Sequence, residues 1–164
     1  MAYRIVPMSE QTRLGKGMVH FTAWQETYNG LMLDEILSSL SVEQCAEWAK
    51  QWADSTLVAL CQEQVIGFAC YCQQARDFTG RKNTSEIMAL YVLSDHQHKG
   101  VGRALMEQCL RRLPHPAVVL YVLKGNKNAM EFYRHMGFEL TGKELIQPTD
   151  YGDLKELEML LIRP

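Results

Sequence analysis

The sequence predicts an α+β domain of three-layer α/β type: one central, mixed, mostly antiparallel sheet with helices on both faces. Two observations carry this. The apolar period switches repeatedly between the helical 3.6 and the strand-like 2, in the order β-α-α-β-β-β-α-β-α-β-β. The chain has 164 residues, 47% hydrophobic and 22% charged, which is enough to bury one sizeable core, and no repeat or linker divides it, so residues 1–164 read as a single domain.

The elements follow in order. YRIV (3–6) is a short alternating strand. Residues 9–28 place Leu14, Met18, Phe21, Trp24 and Tyr28 at helical spacing, and Asn29-Gly30 stops that helix. A second helical region spans 34–53, with Ser41 and Gln44 spaced as a capping box for its second half. STLVALC (55–61) and VIGFACYC (65–72), separated by polar residues 62–64, make a hairpin. Residues 75–84 form a polar loop. SEIMALYVL (85–93) is too continuously apolar to be half exposed, so it belongs at the centre of the sheet. A helical stripe starts at Val101 and continues through Ala104, Leu105, Cys109, Leu110 and Leu113 until Pro114 and Pro116 end it. AVVLYVL (117–123) is another buried strand. A short helix from Asn128 to Met136 ends at Gly137, and FELTGKEL and LKELEMLLI are the last two strands, divided by QPTDYGD.

Composition excludes several functions. A net charge of -2 without basic runs argues against nucleic-acid binding. No segment is long and apolar enough to span a membrane, and MAYRIVPMSEQTRLGKG lacks the apolar centre of a secretory leader. Five cysteines without paired spacing suit a reduced cytoplasmic interior better than a disulfide framework. No metal site is expected, because His96 and His98 have no third ligand at suitable spacing.

Chemistry concentrates in QHKGVGRA (97–104). A helix N-terminus offers unpaired amides and partial positive charge. Gly100 and Gly102 bare that backbone, while Lys99 and Arg103 add full charges. A strand, this turn and then a helix together make a cradle for an anion such as a pyrophosphate. It is neither a Walker A loop nor a full dinucleotide fingerprint, since no GK[ST] follows and Leu105 stands where a third glycine would be.

Gln97-x-x-Gly100-x-Gly102, following Leu90-Tyr91-Val92, resembles the signature of the GNAT superfamily of N-acetyltransferases. A second match is Asn126-x-x-Ala129-x-x-Phe132-Tyr133-x-x-x-Gly137-Phe138, and the element order is similar over almost the whole chain. The resemblance implies a GNAT-like fold and transfer of an acetyl group from acetyl-CoA to an amine. It implies that the backbone of His98, Lys99, Gly100, Val101, Gly102 and Arg103 holds the pyrophosphate. Leu90, Tyr91 and Val92 would pair with the pantetheine arm, and Asn126 would contact it. Tyr133 would protonate the departing thiolate, and Glu86 would stand where a histone-acetylating branch keeps its general base. The AWxxxYxGL pattern, with Trp24 and Tyr28, resembles a bacterial branch that includes polyamine acetyltransferases, and this region borders the acceptor pocket in the superfamily. The branch acting on ribosomal-protein N-termini carries its base where this chain has Tyr121, so that substrate is not expected.

The chemistry fits those residue types. A primary amine of pKa near 10.4 is mostly ammonium at neutral pH and must lose a proton before it can attack a carbonyl. No cysteine falls at a nucleophile position, so transfer is expected to be direct, with alignment of two bound substrates supplying much of the rate. The expected partner is a small amine, with a polyamine first. A regulatory acetyl-CoA-binding module and a protein lysine acetyltransferase are the alternatives. The edges of the last strands could pair two copies into a homodimer.

Overall fold

The computed structural model describes residues 2–164 and holds them in one seven-stranded sheet of order β1-β2-β3-β4-β5-β7-β6. Strands β1 (Arg4–Pro7), β2 (Thr56–Cys61), β3 (Gln64–Cys72) and β4 (Thr84–Val92) are antiparallel neighbours. Strand β5 (Ala117–Leu123) joins β4 in parallel, and β7 (Gly152–Ile162) and β6 (Glu139–Thr149) continue antiparallel. Helices α1 (Glu10–Tyr28), α2 (Asp34–Ser39) and α3 (Val42–Ala49) precede β2; α4 (Val101–Arg112) and α5 (Lys127–His135) flank β5 in the chain.

Alternation along β2 shows how both faces are covered. Leu57 and Ala59 join Leu105, Met106 and Cys109 of α4, whereas Val58 and Leu60 join Val19 of α1 and Ala49 of α3. Phe68, Leu105, Met106 and Phe138 are at most 1% exposed, each contributing about 2 kcal/mol of burial. In β3 the alternation breaks: Val65 and Phe68, three apart, share the α1 face because the register with β2 shifts beside Gly67. Strand β4 is central, as its continuous apolar run predicts.

Four expectations need correction. Residues 34–53 are not one helix: α2 ends at Ser39, Leu40 is extended, and Ser41 caps α3 by accepting from the Gln44 amide at 3.1 Å. A 3-10 segment, Lys50–Ser55, then carries the chain into β2, with a non-helical Trp52. In α1, Leu14 and Met18 face solvent, while Lys16, Gly17, Val19, Ala23 and Tyr28 are buried. Packing decides this: a Cβ on Gly17 would lie 2.7 Å from the Ala46 backbone nitrogen, so α1 meets α3 through its smallest residues. Helix α5 starts at Lys127, one residue early, because Asn126 is its cap; the Asn126 side chain accepts from the Ala129 amide at 3.4 Å. Finally, β6 and β7 run through most of QPTDYGD and leave only Asp150-Tyr151 as the turn. The predicted stop at Gly137 holds, with φ +101 at the end of α5.

Candidate active site

Strands β4 and β5 bond only over Thr84–Glu86 and Ala117–Val119. Beyond that point the two strands separate. The register of β3 against β4 also shifts there, with Cys70 opposite Ala89 and Tyr71 opposite Ile87, so Met88 is the extra residue of a bulge. A bulge bends and twists its strand, which turns β4 away from β5. The result is a cleft of about 820 Å³ whose walls include Ile87–Val92 of β4, Leu120–Val122 of β5, Asn126 and the α5 residues Ala129, Phe132 and Tyr133. The β5-facing edge of β4 has no strand partner along this stretch, and an extended ligand can use it as one.

The N-terminus of α4 closes one end of the cleft. Gly100 caps it in the left-handed conformation, φ +84, and His98 is also left-handed at φ +61. Gln97, His98, Gly100, Gly102 and Arg103 line the cleft here. The Gln97 side chain donates to the Val92 carbonyl at 2.9 Å, tying the cradle to the end of β4. Lys99 turns back onto the Asp95 carbonyl at 2.9 Å, and the Val101 side chain is buried in the core, so Val101 can offer only its backbone amide. Arg103 pairs with Glu107 at 2.9 Å across an exposed face. Glu26 of α1 accepts hydrogen bonds from the amide and hydroxyl of Ser94, holding the turn before the cradle.

Three tyrosines meet further in. The Tyr28 and Tyr91 hydroxyls are 2.7 Å apart, and the ring of Trp24 stands at 90° to that of Tyr28 with centroids 5.2 Å apart. Trp24 and Tyr28 therefore do face one way, but of the two only Tyr28 lines the cleft. The Tyr133 hydroxyl has no hydrogen-bond partner among the described residues. Burial, with the neighbouring Tyr28, holds the Tyr133 phenol well above its ordinary pKa. Burial likewise lifts Tyr28 to about 12. Tyr133 is thus a protonated donor at neutral pH, exposed to the cleft and uncommitted.

Glu86 departs from expectation. Its carboxylate is fully buried and is closed by Arg76, which reaches Oε2 at 2.6 Å and Oε1 at 3.1 Å while its amide also donates to Oε1. Glu86 is not among the residues that line the cleft. Both oxygens of this carboxylate are thus already occupied by Arg76. Asn126 lines the cleft, but its carbonyl oxygen is spent on the cap, so only its amide remains for a ligand.

Several residues escaped the sequence reading. Arg76 is one, and Phe78, 4.6 Å beneath its guanidinium, is another. Tyr121 donates to Glu158 at 2.8 Å; Arg81 and Thr141 also bond this buried carboxylate, which holds its pKa near 2. Glu156, on the same face of β7 as Glu158, makes no side-chain hydrogen bond or ion pair among the described residues. LKELEMLLI reads as a strand, but the residue order does not say which of its charges stays unpaired. All five cysteines are free, and burial pushes the Cys109 thiol to about 12, which leaves it inert. No group of three His, Cys, Asp or Glu side chains among the described residues could hold a metal.

Residues 21–138 match the model of the acetyltransferase (GNAT) family. An uncharacterized N-acetyltransferase, MJ1207, of Methanocaldococcus jannaschii is 30% identical over 57% of this chain, and the match spans 45% of that protein. A second, YuaI of Bacillus subtilis, is 26% identical over 88% of this chain and 90% of its own. The crystal structure of PaiA N-acetyltransferase from Thermoplasma acidophilum in complex with coenzyme A superposes with a TM-score of 0.71 at 22% identity, covering 99% of each chain. With the family match spanning most of the chain and the cleft formed where β4 and β5 part, the chain belongs to the acetyltransferase (GNAT) family and is an acetyl-CoA-dependent acyltransferase.

Proposed function

We propose that this protein moves an acetyl group from acetyl-CoA directly to the primary amine of a small cationic acceptor, a polyamine being the first candidate. One observation carries the reading: the bare edge of β4 leads from the N-terminus of α4 to the uncommitted hydroxyl of Tyr133. The backbone of residues 98–103 holds a pyrophosphate, with Arg103 adding charge. Leu90, Tyr91 and Val92 pair with the pantetheine arm through their main chain, and the Asn126 amide donates to it. Bound acetyl-CoA supplies an activated acyl group at the inner end of the cleft. There Tyr133 gives its proton to the departing sulfur. Tyr28 and Trp24 form an aromatic wall suited to a cationic amine. Glu86, locked by Arg76, fixes the start of β4 rather than moving a proton.

Acceptors on another protein are the second reading, favoured by Leu31, Leu33 and Tyr151, large apolar side chains left exposed around the α1–α2 connection and the β6–β7 turn. Free cysteines suit a cytoplasmic setting. Among the described residues no helix is long and apolar enough to cross a membrane. A homodimer would use the outer edge of β6, which ends the sheet.

The test mixes the protein with acetyl-CoA and a panel of polyamines, amino acids, aminoglycosides and lysine peptides, with product masses read directly. An acetylated polyamine supports the first reading and an acetylated peptide the second. Bound acetyl-CoA with no acetylated product would favour a regulatory module.

A further inference from the structure

Arg76 occupies both oxygens of Glu86, and the same face of the sheet offers another carboxylate. Glu156 lies opposite Leu123 of β5 and Leu145 of β6. Both Leu123 and Leu154, two residues before Glu156, pack in the cluster that holds Tyr28 and Met32. Glu156 therefore sits on the sheet face that α1 and α2 cover, beside Tyr28 of the cleft wall, although like Glu86 it does not itself line the cleft. The three carboxylates of this face differ sharply. Glu86 is filled by Arg76, and Glu158 by Arg81, Tyr121 and Thr141. Glu156 is half-buried with neither hydrogen bond nor ion pair from its side chain among the described residues.

We propose that Glu156 receives the ammonium group of the acceptor and takes a proton from it, as a catalytic residue of this chain. The inference rests on the proposed transfer to a primary amine. Tyr28 and Tyr133 both line the cleft, and Leu123, opposite Glu156, packs in the cluster of Tyr28, which puts this carboxylate next to the Tyr28 end of the site. The amine nitrogen, once it has given one proton to Glu156, forms the new N–C bond with the acetyl carbonyl carbon as the C–S bond breaks. The sulfur receives the Tyr133 proton, and the second proton shed by nitrogen restores the Tyr133 hydroxyl. The proton on Glu156 leaves to solvent, so each turnover releases one.

Burial raises the Glu156 carboxyl above the ordinary range; Arg76 opposes that shift and Glu86 adds to it. The groups facing it are Tyr28 of α1, Arg76 of the β3–β4 loop and Glu86 of β4, with apolar Leu123 and Leu145 alongside. A base must be deprotonated, so kcat/KM rises with pH through the Glu156 pKa.

The experiment compares wild type with Glu156→Gln and Glu156→Asp, using the panel amine that wild type acetylates fastest. Acetyl-CoA affinity is measured by calorimetry and kcat/KM across the acidic and neutral range. Glu156→Gln is expected to lose about 10²- to 10⁴-fold in kcat/KM, to bind acetyl-CoA as wild type does, and to lose the acidic limb of the pH profile. Glu156→Asp is expected to keep that limb at reduced rate. Glu156→Gln with wild-type kcat/KM and an intact acidic limb overturns the assignment and leaves the acetyltransferase reading standing. Wild type that acetylates no amine in the panel overturns both.

Discussion

The two halves of strand β4 are built differently. Thr84–Glu86 is bonded on both sides, with Ser85 donating to the Gln73 carbonyl at 2.6 Å and Glu86 clamped by Arg76. From Ile87 to Val92 the strand is bonded to β3 alone and lines the cleft. One half spends its hydrogen bonds on the fold, and the other keeps them for a ligand. The change comes at a single extra residue, Met88. Rigid support and open binding edge thus follow one another along one strand, which holds the site in place from its fixed end.

The comparison can be broken from either side. The largest effect is expected at the open half: Gly102→Glu should abolish acetyl-CoA binding measured by calorimetry. A Cβ at Gly102 would meet the Phe132 ring at 3.5 Å and Leu90 Cδ2 at 3.8 Å, both ordinary contacts, so the fold should survive while the longer acidic side chain fills the anion cradle. At the pinned half, Arg76→Ala removes the guanidinium and leaves the buried Glu86 charge with only the backbone amide of residue 76. It should cost about 3 kcal/mol in denaturant unfolding. Tyr133→Phe removes the proposed acid and should lower kcat by about 10²-fold, about 2.7 kcal/mol, with acetyl-CoA affinity unchanged.

A pH titration sharpens the contrast further. The Glu158 carboxyl titrates lower in the folded chain than in the unfolded one, near 2. Its stabilisation is therefore complete above the ordinary carboxylate range and is lost as pH falls toward about 2. Glu158→Gln should flatten that acid limb of the unfolding free energy. The smallest effect lies far from both halves, in the β2–β3 hairpin. Gln62 and Glu63 hold φ of +50 and +64 without being glycine, and Glu63→Gly should stabilise the protein by about 0.5–1 kcal/mol in thermal unfolding. Its exposed pair with Arg4 contributes little against that.

Much of this design can be read from the residue order. Gly100 and Gly102 follow an apolar strand and open an apolar helix, and such local grammar survives folding unchanged. Gly137 ends α5 for the same local reason. What stayed hidden depends on contacts distant in sequence. Arg76 meets Glu86 only because the loop of residues 73–83 folds back on the strand. Met88 looks like any apolar strand residue until β3 is paired against it. Leu14 and Met18 satisfy a helical period yet face water, since the choice of face was made by Gly17 against Ala46. Glu156 and Glu158 are indistinguishable in LKELEMLLI; what separates them, the partners of Glu158, lies on other strands and a loop.

Only three register pairs join β4 to β5, and all lie at one end of those strands. Mechanically, the sheet is two leaves stitched along a short spine, with the rest of the seam open. A ligand laid along Ile87–Val92 would lengthen that seam several-fold. The β5-facing amides of β4 past Met88 should then exchange their hydrogens quickly in the free protein and slowly with acetyl-CoA bound, while the β3-facing ones and those before Glu86 exchange slowly in both. The ligand would act as a strut as much as a substrate, and the molecule should be at its stiffest when loaded.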